Sequence, residues 1–327
     1  MAKINPNKIV ISRTDSIGDV VLTLPVAGIL KKKFPKATII FLGNTYTKPI
    51  IESCEYVDDV WEWAIIEGWS YDQQVEWLQK QGVDVFLHIF PRKEIARLAS
   101  KANVSNRIGT SHRAYHIMTC NHLVNFSRRR SELHEAQLNT KLLAPLGIKK
   151  EYSLDELTNY IGFTKIPDLA ENVKKLIDPN KKSVIIHPKS RGSAIEWGVE
   201  QFMQLAKEID QEKFQVFFTG TEKEAAFFRV QIPNQKNMVD LSGKLSLYDL
   251  IAFINECDYL VAASTGPLHI AGVCGVHAIG LFADVKPIHP GRWQPLGKKV
   301  SIVISEKKSE QTQPLDIEVR DVLRVIQ

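Results

Sequence analysis

The chain has 327 residues, 44% of them hydrophobic and 24% charged, which is the composition of a soluble globular protein with room for two domains of ordinary size. No apolar run approaches the ~18 residues of a membrane helix, and the start, MAKINPNKIV, lacks the apolar core of a signal peptide. The net charge of +5 is unevenly spread: residues 1–150 carry 21 Lys and Arg against 14 Asp and Glu (+7), and residues 151–327 carry 21 against 23 (−2). A basic first half points to an anionic partner there, whether a phosphorylated substrate, a membrane surface or nucleic acid, or to an uneven but merely solvated surface. Nucleic acid has only this charge in its favour and is not expected as a partner.

In chain order, KIVIS (8–12) reads as a strand leading into a helix over 18–34. ATIIFLG (37–43) leads into 46–53, and VDVFLHI (83–89) into 92–102. Between them, VWEWAIIEGWSYDQQVEW reads as core and loop packing, with Trp61, Trp63 or Trp69 open to a sugar or a lipid surface. The amphipathic segment SELHEAQLNTKLLAPLG (131–147) closes the first half, and the charged stretch 148–180 reads as an inter-domain linker with one helix, ENVKKLI. The alternation then restarts. SVIIHP (183–188), FQVFFTG (214–220), DYLVAAS (258–264) and VHAIGLFA (276–283) are strands; helical patterns fall near 199–210, 222–230, 246–256 and 266–274, with a terminal helix in PLDIEVRDVLRVIQ. Short buried runs alternating with helices predict parallel sheets flanked by helices, in two similar α/β domains. Cys54, Cys120, Cys257 and Cys274 lie far apart without metal-ligand spacing and read as reduced thiols of a cytoplasmic protein. No metal site is expected.

In open parallel α/β sheets, ligands bind beyond the carboxyl ends of the strands, which singles out the loops that follow them. The first is SRTDSIGD (12–19). Gly18 allows a tight turn or close approach to a ligand. Asp19 either caps the free N–H groups of the next helix or presents a fixed carboxylate that takes a proton from a hydroxyl. Neither GxGxxG nor GxxxxGK[ST] is present. The second is AASTGPLHIAGVCG (262–275), where Ser264 and Thr265 offer hydroxyls, Gly266 allows close approach and Pro267 suits a first helical turn. Such a helix start is either a capped structural end or an anion site suited to a diphosphate. His269 is either a packed core histidine or faces that anion. The third is FFTGTEKEAAF (217–227), whose Glu222 and Glu224 are either solvated first-turn acids or take the ribose hydroxyls of a nucleotide. The fourth is HPKSRGSAIEW (187–197), whose Lys189 and Arg191 either neutralise a diphosphate or are surface charges. SRRRS (127–131) is a basic cluster that contacts phosphate or is simply solvated.

These motifs in this order resemble glycosyltransferase family 9, the heptosyltransferases that move heptose from ADP-heptose to the inner core of lipopolysaccharide. The resemblance rests on ISRTDSIGDVVLTLPVAGILKKKFP, the RIG of SNRIGTSHR, HEAQLNTKLLAPLGI, STGPLHIAGVCGVHAIGLF and HPGRWQPLG. It implies a GT-B fold: two Rossmann-like domains, parallel sheets facing a central cleft, with an acceptor domain at 1–160 and a nucleotide-sugar domain at 161–327, the terminal helix being able to pack back on the first. It implies inverting, metal-independent transfer with no cofactor beyond the donor, and a lipid-linked anionic glycan acceptor met in the cytoplasm at the inner membrane. The family's catalytic acid falls on Asp19. Its phosphate contacts fall on Thr265, Gly266 and Pro267, with Glu224 for the ribose and Leu245 near the adenine, and Ser264 and His269 are expected beside them at the donor. Acceptor contacts are expected from Arg13, Gly18, Arg92 and Arg113. The family usually has Asp where this chain has Ser264, Lys where it has Ile195, and Gly-Pro-Thr where it has Ala283-Asp284-Val285, so the phosphate role is expected to pass to Lys189 and Arg191. Another nucleotide-sugar or acceptor, or a non-catalytic nucleotide-sugar-binding module, is the alternative.

Overall fold

The computed structural model of the protein describes residues 4–190, 192, 194–305 and 314–326. The chain divides into two compact units, the first through Lys165 and the second from Ile166.

The first unit holds a parallel sheet of Lys8–Ser12 (β1), Thr38–Gly43 (β2), Asp59–Glu62 (β3), Val85–His88 (β4), Asn106–Thr110 (β5) and His122–Val124 (β6), in the order β3-β2-β1-β4-β5-β6. The second holds Lys182–His187 (β7), Phe214–Phe218 (β8), Met238–Asp240 (β9), Tyr259–Ala263 (β10), His277–Phe282 (β11) and Val300–Ile304 (β12). These are also parallel, in the order β12-β11-β10-β7-β8-β9. Counted from the first strand of each unit, the two orders are the same doubly wound arrangement. The winding reverses between β1 and β4 in one sheet and between β7 and β10 in the other. Those reversals open crevices at the carboxyl ends, where ligands of such sheets bind. The central strands are buried on both faces, which is why Ile9, Val10 and Ile11 or Val184, Ile185 and Ile186 are uninterrupted apolar runs.

The strands β3, β5, β6, β9 and β12 are not foreshadowed by the sequence reading. Four of them are sheet edges, and β3, β6 and β9 are short, as edge strands commonly are. The helix expected over 18–34 is two helices, Ile17–Val21 and Leu24–Lys33. Pro25 has no N–H to continue the ladder, so the chain restarts at Thr23, whose hydroxyl returns to the Asp19 carbonyl at 2.8 Å. Residues 148–165 are not a linker. Cys54 pairs with Phe163 in a β-bridge, the Glu55 N–H reaches Gly162 O at 2.7 Å, and a Cβ on Gly28 would lie 2.1 Å from the Tyr160 carbonyl. The terminal helix Val319–Leu323 packs on helix Val199–Glu208 of its own unit, because Leu315, Ile317 and Val322 complete that unit's apolar core. No helix among the described residues is long and apolar enough to cross a membrane.

At the reversal of the first sheet, Ser12 stands beside His88. His88 is fully buried, stacked on Phe86 at 4.8 Å and 5.4 Å from His116, and among the described residues neither ring nitrogen has a partner. Burial, helped by His116 and Arg107, pushes its pKa down to about 3. Between that value and the ordinary value near 6.5 the unfolded chain binds the extra proton, so this contribution to stability rises with pH and is lost on acidification. Stability is expected to fall by about 2 kcal/mol from pH 7 to pH 5 on this account. Urea denaturation at the two pH values checks it, and His88→Leu should flatten the dependence.

Candidate active site

The loop after β1 is built around Arg13. This side chain is 3% exposed, and its guanidinium meets three carboxylates. Nε donates to Asp15 Oδ1 at 2.7 Å, Nη2 to Asp19 Oδ1, and Nη1 to Glu135 Oε1 at 3.1 Å and Asn139 Oδ1 at 3.3 Å. Glu135 and Asn139 stand four residues apart on the buried face of helix Glu135–Lys141. Arg128 closes the network from the other side, donating to Glu135 Oε1, to Asn139 Oδ1 at 3.1 Å and to the Ile89 carbonyl at 3.0 Å. The Asn139 amide then donates to Leu22 O and Thr23 Oγ1, both at 3.1 Å, at the break between the first two helices. Burial works against the charge on Arg13, but Asp15, Asp19 and Glu135 outweigh it and hold the guanidinium above its ordinary pKa. Burial pushes Asp15 up to about 6; Arg13 pulls it back down and Asp19 adds to the rise.

Asp19 lies in the first turn of helix Ile17–Val21, with 16% of its side chain exposed. It does not cap the helix: one carboxylate oxygen takes Arg13 and the other takes the Ser16 hydroxyl. Each oxygen keeps acceptor capacity, because a carboxylate offers about four lone-pair positions. The result is an oriented, partly exposed carboxylate at the carboxyl end of a central strand, able to accept a proton from a hydroxyl. Gly18 sits inside the helical turn without a positive φ, so the tight-turn reading does not apply to it.

Arg13, expected at the acceptor, is instead committed to the carboxylates that frame Asp19. Arg92 begins helix Lys93–Lys101, with its guanidinium 6.0 Å from the Trp63 ring and 3.9 Å from Glu67. Arg113 begins helix Ala114–Thr119 and is exposed. Neither joins the Arg13 network. Arg128, read from sequence as part of a basic cluster that contacts phosphate or is solvated, is instead bound into this network, and Glu135 and Asn139 are site residues that the sequence reading does not name. The i, i+4 pair of polar residues in HEAQLNT, on an otherwise apolar face, was the available signal.

In the second unit the corresponding crevice lies where β7 adjoins β10, with Ala262 beside His187. His187 Nδ1 and Thr219 Oγ1 are 3.0 Å apart across the ends of β7 and β8. After β10 come half-buried Ser264 and buried Thr265, which begins helix Gly266–Cys274 with Pro267 in its first turn. The Thr265 side chain makes no capping bond, and its buried hydroxyl has no partner among the described residues. Free N–H groups at the start of a nine-residue helix, beside an unused hydroxyl, suit an anion. His269 is buried within the same helix.

The remaining sequence candidates are more engaged than expected. Lys189 pairs with Glu196 and lies 5.2 Å from the Phe227 ring. Ile195 is buried in the apolar core and presents nothing to a ligand. Arg191 lies outside the described residues. Glu224 accepts from the Thr221 N–H at 2.6 Å and the Thr221 hydroxyl at 2.7 Å, closing a capping box. Glu222 is held by Arg229 at 2.6 and 2.9 Å. Leu245 is half-buried just before helix Leu247–Asn255.

Comparison with known proteins bears on this arrangement. The sequence profile of glycosyltransferase family 9 (heptosyltransferase) matches residues 76–318. A presumed glycosyltransferase of Haemophilus influenzae is 27% identical over 304 residues, covering 88% of this chain and 86% of that one. Lipopolysaccharide heptosyltransferase 3 of Escherichia coli is 22% identical, covering 85% and 82%. The structure of the E. coli heptosyltransferase WaaC with ADP superposes with a TM-score of 0.74 at 14% identity, covering 98% of each chain. With the family profile matched over well more than half its length and the doubly wound sheet built twice, the chain belongs to glycosyltransferase family 9 and has the GT-B fold.

Proposed function

We propose that the protein transfers heptose from ADP-heptose to an anionic, lipid-linked glycan of the lipopolysaccharide core type, with inversion and without a metal ion. The observation that carries this reading is the Asp19 carboxylate, held by Arg13 and Ser16 at the carboxyl end of β1. In the proposed step Asp19 takes the proton of an acceptor hydroxyl as that oxygen attacks the anomeric carbon of the donor. The bond from the anomeric carbon to the diphosphate breaks, and ADP leaves with the electron pair. Free N–H groups at the start of helix Gly266–Cys274 and the Thr265 hydroxyl stabilise the charge that develops there. Lys189, exchanging its pair with Glu196, is proposed to supply a cation to the diphosphate, and Arg191 to share that role. Glu224 takes the ribose by exchanging its bond to Thr221, and Leu245 lines the adenine site. Arg92 and Arg113 meet the acceptor's anionic groups. The first unit thus serves the acceptor and the second the nucleotide-sugar, in the cytoplasm at the inner membrane. ADP bound to a similar fold in WaaC supports the nucleotide, and the E. coli relative's name supports the acceptor class.

A non-catalytic nucleotide-sugar-binding protein is the second reading, favoured by Ile195 being buried where the family resemblance expects a lysine. Thermal stabilisation by a panel of nucleotides tests donor choice, because a ligand that binds only the folded state raises its stability. ADP should stabilise more than UDP or GDP. In calorimetry, Lys189→Ala should weaken ADP by about tenfold, the loss of one charge-assisted hydrogen bond. Unchanged ADP affinity would remove Lys189 from the phosphate site.

A further inference from the structure

We propose that the face of the first unit formed by helices Lys93–Lys101 and Ala114–Thr119 docks on an anionic lipid bilayer. These two helices and the residue that begins each hold Arg92, Lys93, Arg97, Lys101 and Arg113 against a single acid, Glu94. Lys93, Arg97 and Lys101 are exposed and recur every four residues, so they form one stripe along their helix, while Ile95, Ala96, Leu98 and Ala99 face the core. Helix Ala114–Thr119 packs beside that helix and is led by the exposed Arg113.

The second observation is apolar. Ile117 is 61% exposed and Met118 is 77% exposed, next to each other on this short helix. Leu123, also exposed, belongs to the same face. It stands opposite Gly109 in the parallel register of β5 and β6, and paired residues in such a ladder point to the same side. A Cβ on Gly109 would run into His116 and Cys120, which lie within and just after helix Ala114–Thr119.

An apolar knob of three side chains is far smaller than the roughly 800 Å² per partner that a stable protein interface uses. It does suit a headgroup layer, where apolar side chains enter the acyl boundary and flanking cations meet lipid phosphates. No helix among the described residues can span a bilayer, so the contact lies on the membrane surface. The inference does not depend on glycosyl transfer, and vesicle binding is read without turnover.

The test is co-sedimentation of the full chain with mixed phosphatidylcholine–phosphatidylglycerol vesicles and with pure phosphatidylcholine vesicles. The protein should pellet with the anionic vesicles, less so as salt rises, and stay in solution with the neutral ones. The triple variant Lys93→Gln/Arg97→Gln/Lys101→Gln should bind the anionic vesicles on the order of a hundredfold more weakly, since each cation near the surface is worth about fivefold. The double variant Ile117→Ser/Met118→Ser should lose about tenfold while keeping the wild-type salt slope. Both change exposed side chains, and unaltered circular dichroism melting confirms that they fold. Wild-type vesicle binding in the double variant, or equal binding to neutral vesicles, overturns the proposal. So does concentration-dependent self-association in sedimentation velocity that the double variant abolishes, without vesicle binding by either protein.

Discussion

Asp19→Asn is expected to fold, to bind ADP as the wild type does, and to lose transfer activity by ~10²–10⁴-fold, the usual cost of removing a general base. The amide keeps the shape of the carboxylate and leaves Arg13 its bonds to Asp15 and Glu135. The groups proposed to bind ADP belong to the other sheet, after β7 and β10, so donor affinity is a clean control. Steady-state kinetics with donor and acceptor, set beside ADP calorimetry, separates chemistry from binding. Near-normal turnover in the folded variant would take the base role away from Asp19.

Arg13→Met is expected to destabilise the first unit by about 3–5 kcal/mol, the cost of removing one partner from a buried ion pair. The guanidinium is buried, and its loss leaves Glu135 and Asp19 without their shared cation. Arg128 still reaches Glu135, so Asp15 and Asp19 carry the larger share of the damage. Urea denaturation measures this. Adding Asp15→Asn should recover part of the loss, because one of the stranded charges is then gone. A single variant within about 1 kcal/mol of the wild type would show that the network orients Asp19 without supporting the fold.

The central strands were legible because burial on both faces requires unbroken apolar runs, as in KIVIS and SVIIHP. The edges were not. DVWE, HLV and MVD are too short and too polar to stand out from loops, since only their pairing with an inner neighbour makes them strands. The stretch 148–165 looked like a linker because its ties to Ser53, Glu55 and Gly28 come from more than a hundred positions earlier in the chain. The same distance hid the network that holds Arg13 beside Asp19. Its own loop is a local motif, but Glu135 and Asn139 reach Arg13 across more than a hundred residues. The capping box at Glu224 is a different case. Thr221-Glu222-Lys223-Glu224 is a readable local signature of a capping box, and it ties Glu224 to Thr221 rather than leaving it open to a ribose.

The most direct measurement is a transfer assay in which the purified protein, ADP-heptose and a heptose-deficient lipopolysaccharide core are incubated together, with products followed by mass spectrometry. One heptose should be added per acceptor, with ADP released in equal amount and with no ADP released when the acceptor is left out. ADP-heptose that binds but yields neither product nor ADP, across a panel of such acceptors, would contradict the transferase account and leave a nucleotide-sugar-binding protein in its place.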